Sequence, residues 1–256
     1  MSTSRPYLLL SNDDGYQALG LNYLIDALRA DYDLLVVAPD GPRSGYSCAF
    51  TASHPVSARL VRKEEGLTVL ACSGTPVDCV KAGLHRYAER RPDLVVGGIN
   101  HGDNSAVNAC YSGTMGVAGE AALQGVPAIA FSLCDHRHDA DFSPMLPYLA
   151  PLTQWAIDCR MPEFTCLNAN FPLAESYKGV RLCRMAKTRW VKEIEPCEDG
   201  GRGGDWFWMS GYSKELEPDD ESTDRWALEH GYVAVTPTTM DKTSYELLHT
   251  LDLPTI

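Results

Sequence analysis

Long apolar runs are missing from this chain. The longest, residues 7–10, 34–38 and 126–131, fall far short of the roughly 18 consecutive apolar residues that a membrane-spanning helix needs. Basic residues are scarce: 22 Lys and Arg stand against 34 Asp and Glu, a formal net charge of −12, with no run of Lys or Arg. Nucleic-acid polymers and anionic membrane surfaces are therefore not expected as partners. The opening Met-Ser-Thr-Ser-Arg-Pro lacks the basic, apolar and small-residue regions of a secretory leader, so a cytoplasmic location is expected. Nine cysteines are scattered with no Cys-x-x-Cys pair, the usage of reduced, structural thiols rather than of disulfides or zinc. Three familiar motifs are absent as well. Without Gly-x-Gly-x-x-Gly after a strand a dinucleotide cofactor is not expected, and the Walker loop and the Gly-x-Ser-x-Gly elbow are also lacking.

What is present is ordinary globular composition, 45% hydrophobic and 22% charged over 256 residues. That is enough chain for one full core without disulfide staples. Apolar runs at 7–11, 34–38, 67–72, 94–98 and 128–133 alternate with helical patterns at 19–28, 76–87 and 114–124. Continuous apolar strands separated by helices predict a mostly parallel sheet covered on both faces, an α/β Rossmann-like three-layer sandwich. After residue 160 the pattern loosens. Strands are expected at 165–169, 180–185 and 232–236, and a short helix at 245–251. The acidic stretch 215–224 reads as a solvated loop, and so does the polar run 134–138. A glycine-rich loop at 198–205 precedes Trp206-Phe-Trp-Met. It is either the tip of a hairpin arm that docks on a partner subunit or an edge extension of the sheet. The expected organisation is a 1–160 core bearing the site, then 161–256 with the remaining strands, the hairpin arm and a C-terminal oligomerisation segment.

In an open parallel sheet, ligands bind beyond the carboxyl ends of the strands. There the sequence places Asn12-Asp13-Asp14-Gly15, Arg43-Ser44-Gly45, Asn100-His101-Gly102-Asp103-Asn104 and, before a helix, Tyr111-Ser112-Gly113-Thr114. Carboxylate, carboxamide and hydroxyl oxygens suit a hard divalent cation rather than zinc. Ser112-Gly113-Thr114 at a helix start offers free N–H groups and a favourable dipole end to an anion. Each piece has an everyday alternative: Asp-Asp-Gly is a common turn, and Ser and Thr are common N-caps.

The motifs fall in a known order. Ser11-Asn12-Asp13-Asp14-Gly15, Ala38-Pro39-Asp40 with Arg43-Ser44-Gly45, and residues 74–80 and 98–104 are followed by residues 111–114, 223–224 and 231–237. Nearly end to end the chain resembles the SurE (survival protein E) family of metal-dependent nucleoside monophosphate phosphatases. The resemblance implies a Rossmann-like core, a C-terminal extension exchanged between subunits, and 5'/3'-nucleotidase activity. It implies one divalent ion per subunit, manganese or magnesium, on Asp13, Asp14, Ser44 and Asn100. It places Asn104, Ser112, Gly113 and Thr114 on the phosphate, with Asp13, Asp14, Asn104, Ser112 and Thr114 as the catalytic set. The expected partners are a small nucleotide substrate and further copies of the chain, in a homodimer or homotetramer built through the extension. Leu19, His101 and Asp103 depart from the family pattern beside those ligands. Two other readings stay open: a phosphatase of other small phosphomonoesters or short polyphosphates, and a non-catalytic nucleotide- or metal-binding module.

Overall fold

The computed structural model describes residues 5–137, 139–198 and 203–254. The chain runs β1 (Tyr7–Ser11), α1 (Leu19–Leu28), β2 (Asp33–Pro39), β3 (Ala58–Glu64), β4 (Leu67–Cys72), α2 (Pro76–Ala82), β5 (Leu94–His101), α3 (Gly113–Leu123), β6 (Ala128–Leu133), α4 (Leu146–Asp158) and β7 (Thr165–Phe171). Then follow β8 (Val180–Leu182), β9 (Thr188–Val191), β10 (Ile194–Pro196), β11 (Phe207–Met209), β12 (Tyr212–Glu215), α5 (Asp224–Glu229), β13 (Val233–Thr239) and α6 (Tyr245–Thr250).

Nine strands form one sheet in the order β3-β4-β2-β1-β5-β6-β7-β13-β8. The six from β4 to β7 are mutually parallel, whereas β3 runs antiparallel to β4 and β13 antiparallel to β7. The mostly parallel α/β sandwich expected from the apolar runs is what forms. Because side chains alternate along a strand, each central strand feeds two cores. Leu8 and Leu10 pack with Val36, Val96 and Phe131 against Leu21, Leu24, Leu28 of α1 and Leu149 of α4. Tyr7 and Leu9 pack with Leu35, Val37 and Val95 against Val80 of α2 and Val117, Ala118 and Ala121 of α3.

Strand β3 and helix α4 are among the elements that the sequence expectation omits. Strand β3 is an edge strand whose residues are mostly exposed, so no apolar run announces it. Helix α4 carries Pro147 near its start and Pro151 inside, which breaks the usual helix signature. It forms because Leu149, Leu152 and Ala156 reach the first core. The helix expected over 76–87 is α2 followed by a wider π-helical turn at Gly83–Tyr87. Strand β5 runs on to His101 past a register shift between Gly97 and Asn100, a bulge that re-aims the end of the strand.

Strands β9 to β12 stay outside the large sheet. β9 pairs antiparallel with β12, and β10 with β11, forming an arm whose glycine-rich residues 199–202 lie outside the described residues. The stretch 215–224 is not uniformly solvated: Thr223 and Asp224 are buried at the start of α5. Among the described residues no helix is long and apolar enough to cross a membrane.

Candidate functional site

Strand β1 ends in a turn closed by one side chain. Asn12 accepts the Gly15 N–H at 3.1 Å and donates to the Gly15 carbonyl at 3.0 Å. Gly15 sits at φ +103°, with the Gly41 backbone and the Pro39 carbonyl 3.2–3.3 Å from where a Cβ would stand. That left-handed, crowded position favours glycine. It lets the chain double back, so the adjacent Asp13 and Asp14 do not diverge as they would along a strand. The neighbouring loop is stitched on by the Arg43 N–H, which donates to the Asp13 carbonyl at 2.6 Å. The Arg43 guanidinium turns away to Asp40, and exposed Ser44 stands next to this anchor.

Helix α3 begins opposite. Ser112 is its N-cap and accepts the Met115 N–H at 3.1 Å, so the capping role expected of a serine here is filled. Buried Thr114 donates its hydroxyl to Asp13 Oδ1 at 2.5 Å, and its oxygen lies 3.5 Å from Asn100 Oδ1. Gly113 abuts the same carboxylate: a Cβ there would lie 2.7 Å from Asp13 Cβ and 2.9 Å from Oδ2. Asn100, just past the β5 bulge, donates to the Gly102 carbonyl at 2.9 Å. The His101 N–H reaches Asp14 Oδ2 at 3.4 Å.

Asn104 belongs to a buried amide ladder. Its Nδ2 donates to Ser132 Oγ at 2.8 Å, its N–H donates to Asn170 Oδ1, and its carbonyl accepts from Asn168 Nδ2. Sequence reasoning missed this support, although a signal existed. Asn168 and Asn170 are carboxamides two apart, on one face of an otherwise apolar buried strand. A second support was also missed. Asp224 accepts the N–H groups of Ala106 and Ala186, while Arg225 pairs with Asp103 and Glu215, both at 2.8 Å. The loop carrying Asn104 is thus pinned to the base of the arm. Asp135, in the run expected to be solvated, is buried and pairs with Arg137. The His136 ring fills the space a Cβ at Gly102 would take, and His138 lies outside the described residues.

These parts border a cleft of about 360 Å³ whose lining includes Asp13, Ser44, Asn100, Asn104 and Ser112, with Asn108, Tyr111 and Trp190 further along, and contains no Lys or Arg among the described residues. A larger hollow, of about 440 Å³, lies by Tyr7, Asp33 and Leu67, at the amino ends of the strands. A short hydrogen bond joins Thr114 to Asp13, while Thr114 to Asn100 and Asp14 to the His101 N–H are longer contacts of 3.5 and 3.4 Å. Ser44 reaches the cleft wall without such a bond among the described residues. Asp13 is only 4% exposed. Burial, then the neighbouring Asp14 charge, push its carboxyl up to about 6, against the Thr114 hydrogen bond. Burial raises Asp14 too, against the pull of His101.

A mostly parallel sheet whose carboxyl rim carries two aspartates, buried Asp13 against the start of α3 and Asp14 against the His101 N–H, is a Rossmann-like α/β architecture. The model of the family described as Survival protein SurE matches residues 8–192. The chain belongs to the SurE family. It is 52% identical to a protein of Phocaeicola vulgatus named 5'-nucleotidase SurE, covering 98% of this chain and 97% of that one. It is 49% identical, over the same shares, to its namesake in Bacteroides thetaiotaomicron. The crystal structure of the SurE protein from Aquifex aeolicus superimposes with a TM-score of 0.81 at 33% identity, covering 96% and 98% of the two chains.

Proposed function

We propose that the chain is a metal-dependent 5'-nucleotidase, hydrolysing nucleoside monophosphates to nucleoside and phosphate. One observation carries the reading: Asp13, raised by burial and by the adjacent Asp14 charge, faces the start of α3 on a cleft with no Lys or Arg in its described lining. A phosphate approaching that cleft needs positive charge that no Lys or Arg of its described lining supplies. A divalent ion on Asp13, Asp14, Ser44 and Asn100 meets both demands, and the donor set fits Mn2+ or Mg2+, one per subunit. The names of the relatives, 5'-nucleotidase SurE, support the same activity.

When bound, the ion supplies Lewis acidity toward the phosphoryl group and toward water. The protein's own groups do the rest. Asn104, Ser112, Gly113 and Thr114 receive the phosphate through amide and hydroxyl donors and the free N–H groups of the first helical turn. Thr114 fixes the rotamer of Asp13 through Oδ1. Asp13 or Asp14 orients or deprotonates the attacking water, which completes the catalytic set of Asp13, Asp14, Asn104, Ser112 and Thr114. The arm and α6 expose large apolar side chains, Trp208 at 67% and Met209 at 73% among them. Such surfaces call for a partner, so a homodimer or homotetramer through this C-terminal extension belongs to the same reading. So does a cytoplasmic location, in keeping with nine free cysteines and a reducing compartment.

The test is a panel of 5'- and 3'-nucleoside monophosphates, sugar phosphates and short polyphosphates, read by released phosphate before and after EDTA. Nucleoside monophosphates are expected to turn over fastest, chelation to abolish turnover, and manganese or magnesium to restore it. Full activity after exhaustive chelation refutes the metal site. Preference for sugar phosphates or polyphosphates moves the enzyme to another substrate class. Manganese binding without turnover on any substrate leaves a binding module.

A further inference from the structure

The polar groups above account for the phosphate end of the cleft and leave its other wall unassigned. Trp190, on arm strand β9, and Tyr111, next to the α3 cap, border the same cleft as Asp13 and Asn100. The indole is held by its edge: Trp190 Nε1 donates to Asn108 Oδ1 at 3.0 Å. Asn108 is itself fixed, since its Nδ2 lies 3.4 Å from both the carbonyl and Oδ2 of Asp103, and its carbonyl accepts the Tyr111 N–H at 3.0 Å. Among the described residues neither ring packs on another aromatic ring or under a cation. Trp190 is half-buried and Tyr111 55% exposed. Both rings thus sit on the cleft without an aromatic neighbour, and the one polar atom of the indole is already satisfied. A wall of that kind takes a flat, neutral, aromatic ligand.

We propose that Trp190, with Tyr111 beside it, is the nucleobase-binding wall of this cleft, so that the arm of the chain sets the preference for nucleotides over base-free phosphomonoesters. The inference rests on the nucleotidase reading and deepens it. Every base offers a π-face, so stacking on Trp190 selects for a base without choosing among bases. The bland alternative is that the indole only buttresses the arm against residues 106–110. That role would lower turnover of all phosphomonoesters alike.

The experiment compares AMP with ribose 5-phosphate, which keeps sugar and phosphate and lacks the base, on wild type, Trp190→Leu and Trp190→Phe loaded with manganese. Trp190→Leu is expected to raise KM for AMP about 10-fold, the scale of one lost base–aromatic contact. Its kcat should stay within about 2-fold and its KM for ribose 5-phosphate should not move. Trp190→Phe should remain within about 3-fold of wild type on AMP. Parallel changes on both substrates, or an unchanged KM for AMP in Trp190→Leu, overturn the proposal. If wild type hydrolyses neither substrate, the nucleotidase reading falls by itself, and calorimetry on the same proteins still decides the wall. AMP binding about 10-fold tighter than ribose 5-phosphate in wild type, and equally in Trp190→Leu, supports it; equal affinities in wild type overturn it.

Discussion

Helices α2 and α3 begin with nearly the same ingredients and come to opposite ends. Each has a hydroxyl N-cap, a glycine beside it and a buried aspartate at its start. At α2 the aspartate belongs to the helix itself. Asp78 takes the Thr75 N–H at 2.9 Å while Thr75 Oγ1 takes the Asp78 N–H at 3.1 Å, and Thr51 donates a further N–H. Burial pushes Asp78 up, but those bonds outweigh it and hold the carboxyl below its ordinary value. At α3 the first turn holds no acid, and the carboxylate comes from a different element. Asp13 has one strong bond, from Thr114, and burial wins. A helix start closed by its own carboxylate is a finished structure. One that faces a foreign, under-satisfied carboxylate still has room for a cation and an anion.

Exchanging one charge at each start should separate the two most widely. Asp13→Asn is expected to lower the hydrolysis rate at saturating manganese by at least ~10²-fold, the scale of one lost electrostatic element, with no fall in the metal-free melting temperature. Asp78→Asn should do the reverse: turnover near wild type at low temperature, and about 1–2 kcal/mol less stability from the lost cap. Initial rates and thermal melts on both variants check this. A slower Asp78→Asn enzyme, or an Asp13→Asn enzyme above half of wild-type turnover, would collapse the contrast.

The paired glycines give the next effect. A Cβ at Gly113 would strike the Asp13 carboxylate, and one at Gly74 would lie 2.6–2.7 Å from Asp78 and 2.9 Å from Val56. Gly113→Ala should cut turnover roughly 10-fold by displacing Asp13. Gly74→Ala should leave turnover intact and cost about 1–3 kcal/mol of stability by overpacking. The same rates and melts score the pair, and a Gly74→Ala enzyme that loses rate without losing stability would break the analogy.

The last expected effect, on stability alone, is in pH. A carboxyl raised to about 6 in the folded protein contributes stability that is complete below its unfolded value near 4 and is lost as pH rises through 6. The chelated protein should therefore melt lower at about pH 6.5 than at about pH 4.5, by an amount on the order of 1–3 kcal/mol. Asp13→Asn should flatten that slope. Asp78, held low, contributes in the opposite sense, losing its stabilisation only as pH falls below about 4.

The parts of this contrast differ in how openly the sequence displays them. The Thr75-Pro76 start of α2 and the five central strands are local patterns, and short apolar runs with caps declare them. The rim is legible too, because loops after parallel strands meet at one end. Mostly exposed β3 and proline-bearing α4 are hidden, since their formation depends on neighbours rather than on periodicity. Asp224 was masked by its acidic surroundings, though it is fully buried and capped by three N–H donors. Trp190 is hidden for a stronger reason. It lies 82 residues from Asn108, its hydrogen-bond partner, and no spacing rule joins them.

The arm leaves the sheet after β8 and returns as β13, which lies between β7 and β8. It is a loop closed at its base by hydrogen-bonded strands, with the Arg225 pairs as a second clasp. Closing a loop costs entropy that grows only with the logarithm of its length, about 0.6 kcal/mol for each doubling. The arm's tip can therefore lengthen, shorten or change composition over many generations with little effect on whether the sheet folds. Its base cannot, because there a shift of one residue would turn Trp190 to the opposite side of β9. On the proposed readings, assembly and substrate choice sit on one insertion, with the freedom to drift at its far end and the constraint at its root.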